Sequence, residues 1–156
     1  MRVAVSDAPG SLEETLICDT PSDFDVAVST FATTVRDAAR GRPITGGAVG
    51  VAGLLSTDRQ ILLKSPHLRK WEGKNIAEAF SQTVGVPILF ENDAAFGALG
   101  EAVSGAGMGV SILAYIAVGT GVGGARVVDD KIDRATFGFE MGHQRLGIGA
   151  NAPEWE

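Results

Sequence analysis

Three stretches of the chain hold residues whose types and spacing could do chemistry. The first is Phe90-Glu-Asn-Asp93-Ala-Ala-Phe-Gly-Ala-Leu-Gly-Glu101, which continues the apolar run that begins at Val86. Its pattern changes from strand-like to helix-like at Asn92 and Asp93. A side chain at such a junction is held at the edge of a sheet, where α/β proteins place chemistry. Taken alone, Asp93 reads first as a cap for the helix that follows, and it could also accept a proton there. The second stretch, Gly119-Thr-Gly-Val-Gly-Gly124, satisfies the Gly-x-Gly-x-x-Gly dinucleotide pattern. That pattern needs a helix after the glycines, and Ala125–Val128 reads as a strand, so a Rossmann site is disfavoured. A glycine hairpin can still offer backbone N–H groups to a phosphate, with Thr120 adding a hydroxyl; an ordinary hairpin turn is the other reading. In the third stretch, Phe139-Glu140-Met-Gly-His143, Glu140 and His143 can share one side of a turn, or can be a solvated loop pair. A metal would need further ligands, and neither a second His nor a Cys lies nearby.

The elements that would position these residues can be read in order. Arg2–Ser6 and Leu12–Cys18 predict a hairpin across the turn Asp7-Ala-Pro-Gly10. Thr20-Pro-Ser-Asp23 predicts a helix start with Thr20 as cap. Phe24, Val28, Phe31, Val35 and Ala39 then form one apolar face, and Gly41 and Pro43 stop the helix. Ala48–Ala52 predicts a strand buried on both faces, followed by the polar turn Ser56–Arg59 and the apolar segment Ile61–Leu63. Residues 65–71 have no period and read as a loop. Asn75–Glu78 is a capping signature for a helix that ends at Gly85, and Pro87–Phe90 predicts a buried strand. The helix after Asp93 contains Gly97 and Gly100, which suggests that something approaches it closely. Ser104–Gly109 is the best candidate linker, and Ile112–Val118 with Ala125–Val128 reads as a second hairpin.

The bulk properties narrow the function classes. A chain of 156 residues can bury one core, and 45% hydrophobic with 21% charged residues is a globular composition. The net charge of −6, without a basic run, argues against nucleic acid or an anionic membrane as partner. The cluster Lys64, Arg69, Lys70 and Lys74, with His67 among it, reads as solvated surface. Cys18 is the single cysteine and reads as a small core residue, which fits a reducing compartment. No run has the length of a membrane span.

Taken together and in order, the three stretches resemble the ROK family (repressors, open reading frames, sugar kinases), which includes glucokinases and N-acetylmannosamine kinases. Val49-Gly-Val-Ala-Gly53 with Asp58, and Leu68-Arg-Lys-Trp71, match weaker family patterns. The resemblance runs from Met1 to about His143. It implies an α/β, actin/hexokinase-like (ribonuclease H-like) fold, with residues 1–104 as a small lobe and 105–156 as the start of a nucleotide-binding lobe. It also implies a cytoplasmic, commonly homodimeric sugar kinase that moves the γ-phosphoryl group of ATP, with Mg²⁺, onto a hexose or N-acetylhexosamine hydroxyl. Asp93 would be the catalytic base, Asn92, Glu140 and His143 the sugar contacts, and Gly119, Thr120 and Gly121 the phosphate loop. His143 would be a zinc ligand in relatives that bind zinc. The alternative is a non-catalytic, sugar-binding or regulatory relative.

The sequence departs from the family pattern at both ends. The family has a first strand with an Asp-x-Gly-Gly-Thr loop before the hairpin, and a cysteine cluster after the Gly-His pair. The resemblance therefore predicts a sheet with a gap or a changed strand order, and little kinase activity from this chain alone.

Overall fold

The computed structural model describes residues 1–8, 11–119 and 121–134. They divide into two compact units, Met1–Asp93 and a second that begins at Ala94.

In the first unit, helix α1 (Phe24–Ala39) buries Val28, Phe31, Val35 and Ala39, as the spacing predicts. Its cap is Asp23 rather than Thr20. The Asp23 side chain accepts the Val26 N–H at 3.1 Å, so the helix starts three residues later than the Thr-Pro pair suggests. Helix α2 (Ile76–Val84) has the expected reciprocal cap, with Asn75 accepting from the Glu78 N–H and donating to the Glu78 carboxylate. Gly85 ends it at φ 85°. Phe31, Trp71, Phe80 and Phe90 meet in one core, with Phe80 at ring-centroid distances of 5.0 Å from Phe31 and 5.3 Å from Phe90. Residues 65–71 are not all loop, since Arg69–Trp71 form a 3₁₀ turn that buries Trp71. His67, Lys64, Arg69, Lys70 and Lys74 are all exposed, as expected of a solvated surface.

The strands of this unit form separate pairs. β1 (Arg2–Val3) runs antiparallel to β2 (Leu16–Ile17). β4 (Leu54–Leu55) pairs with β5 (Leu62–Lys64) across the Ser56–Arg59 turn. β3 (Gly47–Val51) runs parallel to β6 (Ile88–Asn92), from Gly47 opposite Ile88 to Val51 opposite Asn92. A cavity of about 720 Å³ is lined by residues 1–7 on one side and 42–52 on the other, with Phe31, Phe80 and Ile88 also in its wall. The exposure of β3 corrects its reading as a strand buried on both faces. Among the described residues β3 pairs with β6 alone, and Gly47, Ala48 and Gly50 are exposed. Arg42, on the cavity wall, donates to Asp7 and to Glu13, and its guanidinium holds the Glu13 carboxyl below its ordinary value.

In the second unit, α3 (Asp93–Ser104) presents Ala95, Ala98 and Ala102 to a three-stranded antiparallel sheet of β7 (Ile112–Val118), β8 (Val122–Val128) and β9 (Lys131–Ile132). Small residues allow close approach, and a Cβ on Gly97 would lie 3.0 Å from the Tyr115 hydroxyl. Gly100 does not share that cause, because its Cβ position faces open space. Ser104 ends the helix, and residues 105–109 are a tight turn bonded back to it, with Gly105 and Gly107 N–H groups donating to the Glu101 carbonyl.

Candidate active site

The strand-to-helix junction is built from the end of β6. Its residues Ile88, Phe90 and Glu91 are buried, Asn92 is half-buried and Asp93 is exposed. The strand extends through Glu91 and Asn92, past the predicted end at Phe90. α3 then starts on Asp93 itself. Asp93 is the first residue of the helix, and its carboxylate sits where the helix dipole favours negative charge.

Two neighbouring segments fix this junction. The Asn92 side-chain N–H donates to the Gly53 carbonyl at 3.1 Å. Gly53 has φ 152°, and a Cβ there would collide with the Lys64 carbonyl oxygen. The second tie is Glu91, whose side chain is 4% exposed and pairs with Arg59 Nε at 2.9 Å. Glu91 also accepts the Asn92 backbone N–H at 3.0 Å. Arg59 sits at φ 62° in the turn after β4, and its guanidinium donates to the Ser56 carbonyl at 3.1 Å. Asp58 in the same turn accepts from the Ser56 hydroxyl at 2.6 Å and from the Gln60 N–H at 3.2 Å. Those bonds, the hydroxyl first, hold its carboxyl below the ordinary aspartate value. Sequence reasoning did not single out Arg59 or Glu91. A glutamate that extends an apolar strand was the signal for one; nothing local marks the other.

The glycine stretch is a hairpin turn between β7 and β8, closed at Val118 opposite Val122, so a strand does follow it. Cβ positions on Gly119 and Gly121 face open space, which fits close approach of a ligand. The Gly119 N–H, however, donates to the Gly121 carbonyl at 2.8 Å, within the turn. Thr120, Glu140 and His143 lie outside the described residues. The described residues contain no group of three or more His, Cys, Asp or Glu that could hold a metal ion. No described helix is long and apolar enough to cross a membrane.

The fold is of the actin/hexokinase-like α/β class, shown by its structural neighbours. The ROK family glucokinase from Streptomyces griseus, solved with glucose and AMPPNP, matches with a TM-score of 0.82 and 31% identity, over 93% of this chain and 47% of that one. The inorganic polyphosphate/ATP-glucomannokinase from Arthrobacter sp. strain KM matches with a TM-score of 0.71 and 26% identity, over 86% of this chain and 55% of that one. Residues 2–154 match the ROK family model. The chain belongs to the ROK family.

A glucokinase of Streptomyces coelicolor is 32% identical over 94% of this chain and 46% of its own length. The xylose repressor of Caldicellulosiruptor bescii is 35% identical over 67% of this chain and 27% of its own length. The chain thus spans about half the length of the glucokinase it matches.

Proposed function

We propose that this chain carries the sugar-binding and proton-accepting part of a ROK sugar kinase, one that transfers the γ-phosphoryl group of ATP to a hydroxyl of a hexose or N-acetylhexosamine. The observation that carries the reading is the junction itself. An exposed carboxylate, Asp93, stands in the first turn of α3 directly after Asn92, whose amide is fixed on Gly53. Asp93 accepts the proton of a sugar hydroxyl as that oxygen attacks the γ-phosphorus, and the Asn92 amide holds a neighbouring hydroxyl by directional hydrogen bonds. Glucokinase relatives, and a neighbour solved with glucose and an ATP analogue, support this choice of substrates. Within the reading, Glu140 and His143 add sugar contacts, and the ATP phosphates approach the open side of Gly119–Gly121. A homodimer in the cytoplasm is part of the same reading.

The 156-residue chain, which spans about half the length of the glucokinase it matches, is expected to bind sugar and to turn over little or none. Calorimetry with glucose, N-acetylglucosamine and N-acetylmannosamine tests the first half, with Asp93→Asn retaining binding. A coupled ADP-release assay tests the second. Where turnover is measured, Asp93→Asn lowers kcat by roughly 10²–10⁴-fold, the usual worth of a general base. No binding of any sugar would overturn the proposal. The xylose repressor relative supports a second reading, a sugar sensor without catalysis. Sugar binding that is indifferent to an ATP analogue would favour it.

A further inference from the structure

Arg59 belongs to a different loop from the junction, yet it is bonded to it. Its Nε lies 2.9 Å and 3.0 Å from the two carboxylate oxygens of Glu91. Glu91 in turn accepts the backbone N–H of Asn92. Gly47 donates its N–H to the Pro87 carbonyl, and parallel pairing alternates along β3 and β6. That alternation turns the Asn92 N–H away from β3, and the Glu91 carboxylate accepts it. A carboxylate buried this deeply is held in place only by a cation and by hydrogen bonds. Arg59 supplies the cation from a backbone conformation that non-glycine residues seldom adopt, φ 62°. The turn that forces it there is closed by Arg59 N–H to the Ser56 carbonyl at 2.8 Å and by Ser56 N–H to the Ile61 carbonyl at 2.9 Å. The relay thus runs from the Ser56–Ile61 turn through one guanidinium and one carboxylate to the main chain of Asn92.

We infer that Arg59 is a positioning residue for the Asn92–Asp93 pair, acting through Glu91, and that the Ser56–Ile61 turn sets the angle at which that pair faces a sugar. This rests on the sugar-kinase reading for what is positioned, but not for the positioning itself. With the Arg59 charge removed, Glu91 loses the guanidinium that lies against both its carboxylate oxygens, and the acceptor of the Asn92 N–H is held less firmly. Asn92 and Asp93 then sample more orientations, while the aromatic core around Phe80 is untouched.

Hydrogen exchange read by NMR on the whole chain tests this, in wild type, Arg59→Gln, Arg59→Lys and the double variant Arg59→Met/Glu91→Met. Arg59→Gln is expected to speed exchange of the Asn92 amide by at least about tenfold, with α1 amides unchanged. Arg59→Lys is expected to restore part of the protection, because it returns the charge without the planar guanidinium. The double variant guards against simple unfolding, since an apolar pair of similar volume can replace a buried ion pair without loss of fold. It is expected to leave Asn92 as fast as in Arg59→Gln. Equal acceleration of α1 and Asn92 in Arg59→Gln would make Arg59 merely structural and overturn the inference. So would a protected Asn92 amide in the double variant. Calorimetry on the same proteins adds sugar affinity, expected to fall about tenfold in Arg59→Gln. If wild type binds no sugar, the kinase reading fails, and the exchange pattern still decides the role of Arg59.

Discussion

The two units are built on different packing. The first is held by large rings: Phe24, Phe31, Trp71, Phe80 and Phe90 form a chain of contacts with centroids 5.0–6.2 Å apart. Among the described residues of the second, Ala95, Ala98, Ala102, Ala125 and Val127 form the core, with Leu113, Tyr115 and Ile132 at the margin. Its sheet leaves Ile112, Ile116, Val118 and Val122 exposed. Alanines let a helix approach a sheet closely but remove little apolar area from water. The first unit can therefore hold a fixed geometry at the end of β6, where Asn92 and Asp93 stand. The glycine turn of β7–β8 belongs to the unit whose described core is built from smaller side chains.

Removing the central ring is the largest test of this contrast. Phe80 is 1% exposed and lies against Phe24, Phe31, Trp71 and Phe90. Phe80→Ala is expected to destabilise the first unit by about 3–5 kcal/mol, read as a lower urea midpoint with Trp71 fluorescence as probe. A loss below about 1 kcal/mol would mean that the rings are not what holds this unit. In the second unit the matching experiment is gentler and splits in sign. Gly97→Ala is expected to destabilise, because the new Cβ meets the Tyr115 ring at 3.2 Å and its hydroxyl at 3.0 Å. Gly100→Ala is expected to stabilise by about 0.5–1 kcal/mol, because the added methyl meets nothing and helix propensity improves. Thermal unfolding of both variants checks the pair. Equal effects would remove close packing as the reason for Gly97.

Much of this was legible from residue order, and what was not has a physical reason. Amphipathic spacing found α1 and α2, because burial of one helical face depends on local period alone. The change from strand-like to helix-like pattern located Asn92 and Asp93 on a strand-to-helix junction, and the structure puts them there. Strand burial was misjudged at β3, because an apolar run does not say whether a neighbour lies along each edge. The cap of α1 moved from Thr20 to Asp23, since both residues are good caps and only the path of the chain chooses between them. Arg59 escaped notice for a similar reason. Its meaning comes from Glu91, distant in sequence, and no local pattern encodes an ion pair between two loops and strands that far apart. Gly100 was read by the same rule as Gly97, yet only Gly97 has a neighbour at its Cβ.

The smallest expected effect lies in the turn that carries Arg59, and it asks whether the first unit's rigidity extends to its exposed loops. Asp58 has its carboxyl held below the ordinary value of 3.8, by the Ser56 hydroxyl first and the Gln60 N–H second. A carboxyl whose folded pKa is depressed takes up protons more readily in the unfolded chain. Its contribution to stability is therefore complete above the unfolded value and is lost as pH falls from about 3.8 through the folded value. Ser56→Ala removes the largest cause and also the acceptor of the Ile61 N–H, a bond of 2.9 Å. The Asp58 titration is expected to move upward toward 3.8, as followed by carboxyl carbon NMR, with the Asn92 amide shift moving slightly in the same protein. An upward Asp58 shift with Asn92 unmoved would confine the effect of the turn to its own residues. No change at Asp58 would mean that the hydroxyl bond does not persist in solution, and that the turn is looser than the unit from which it projects.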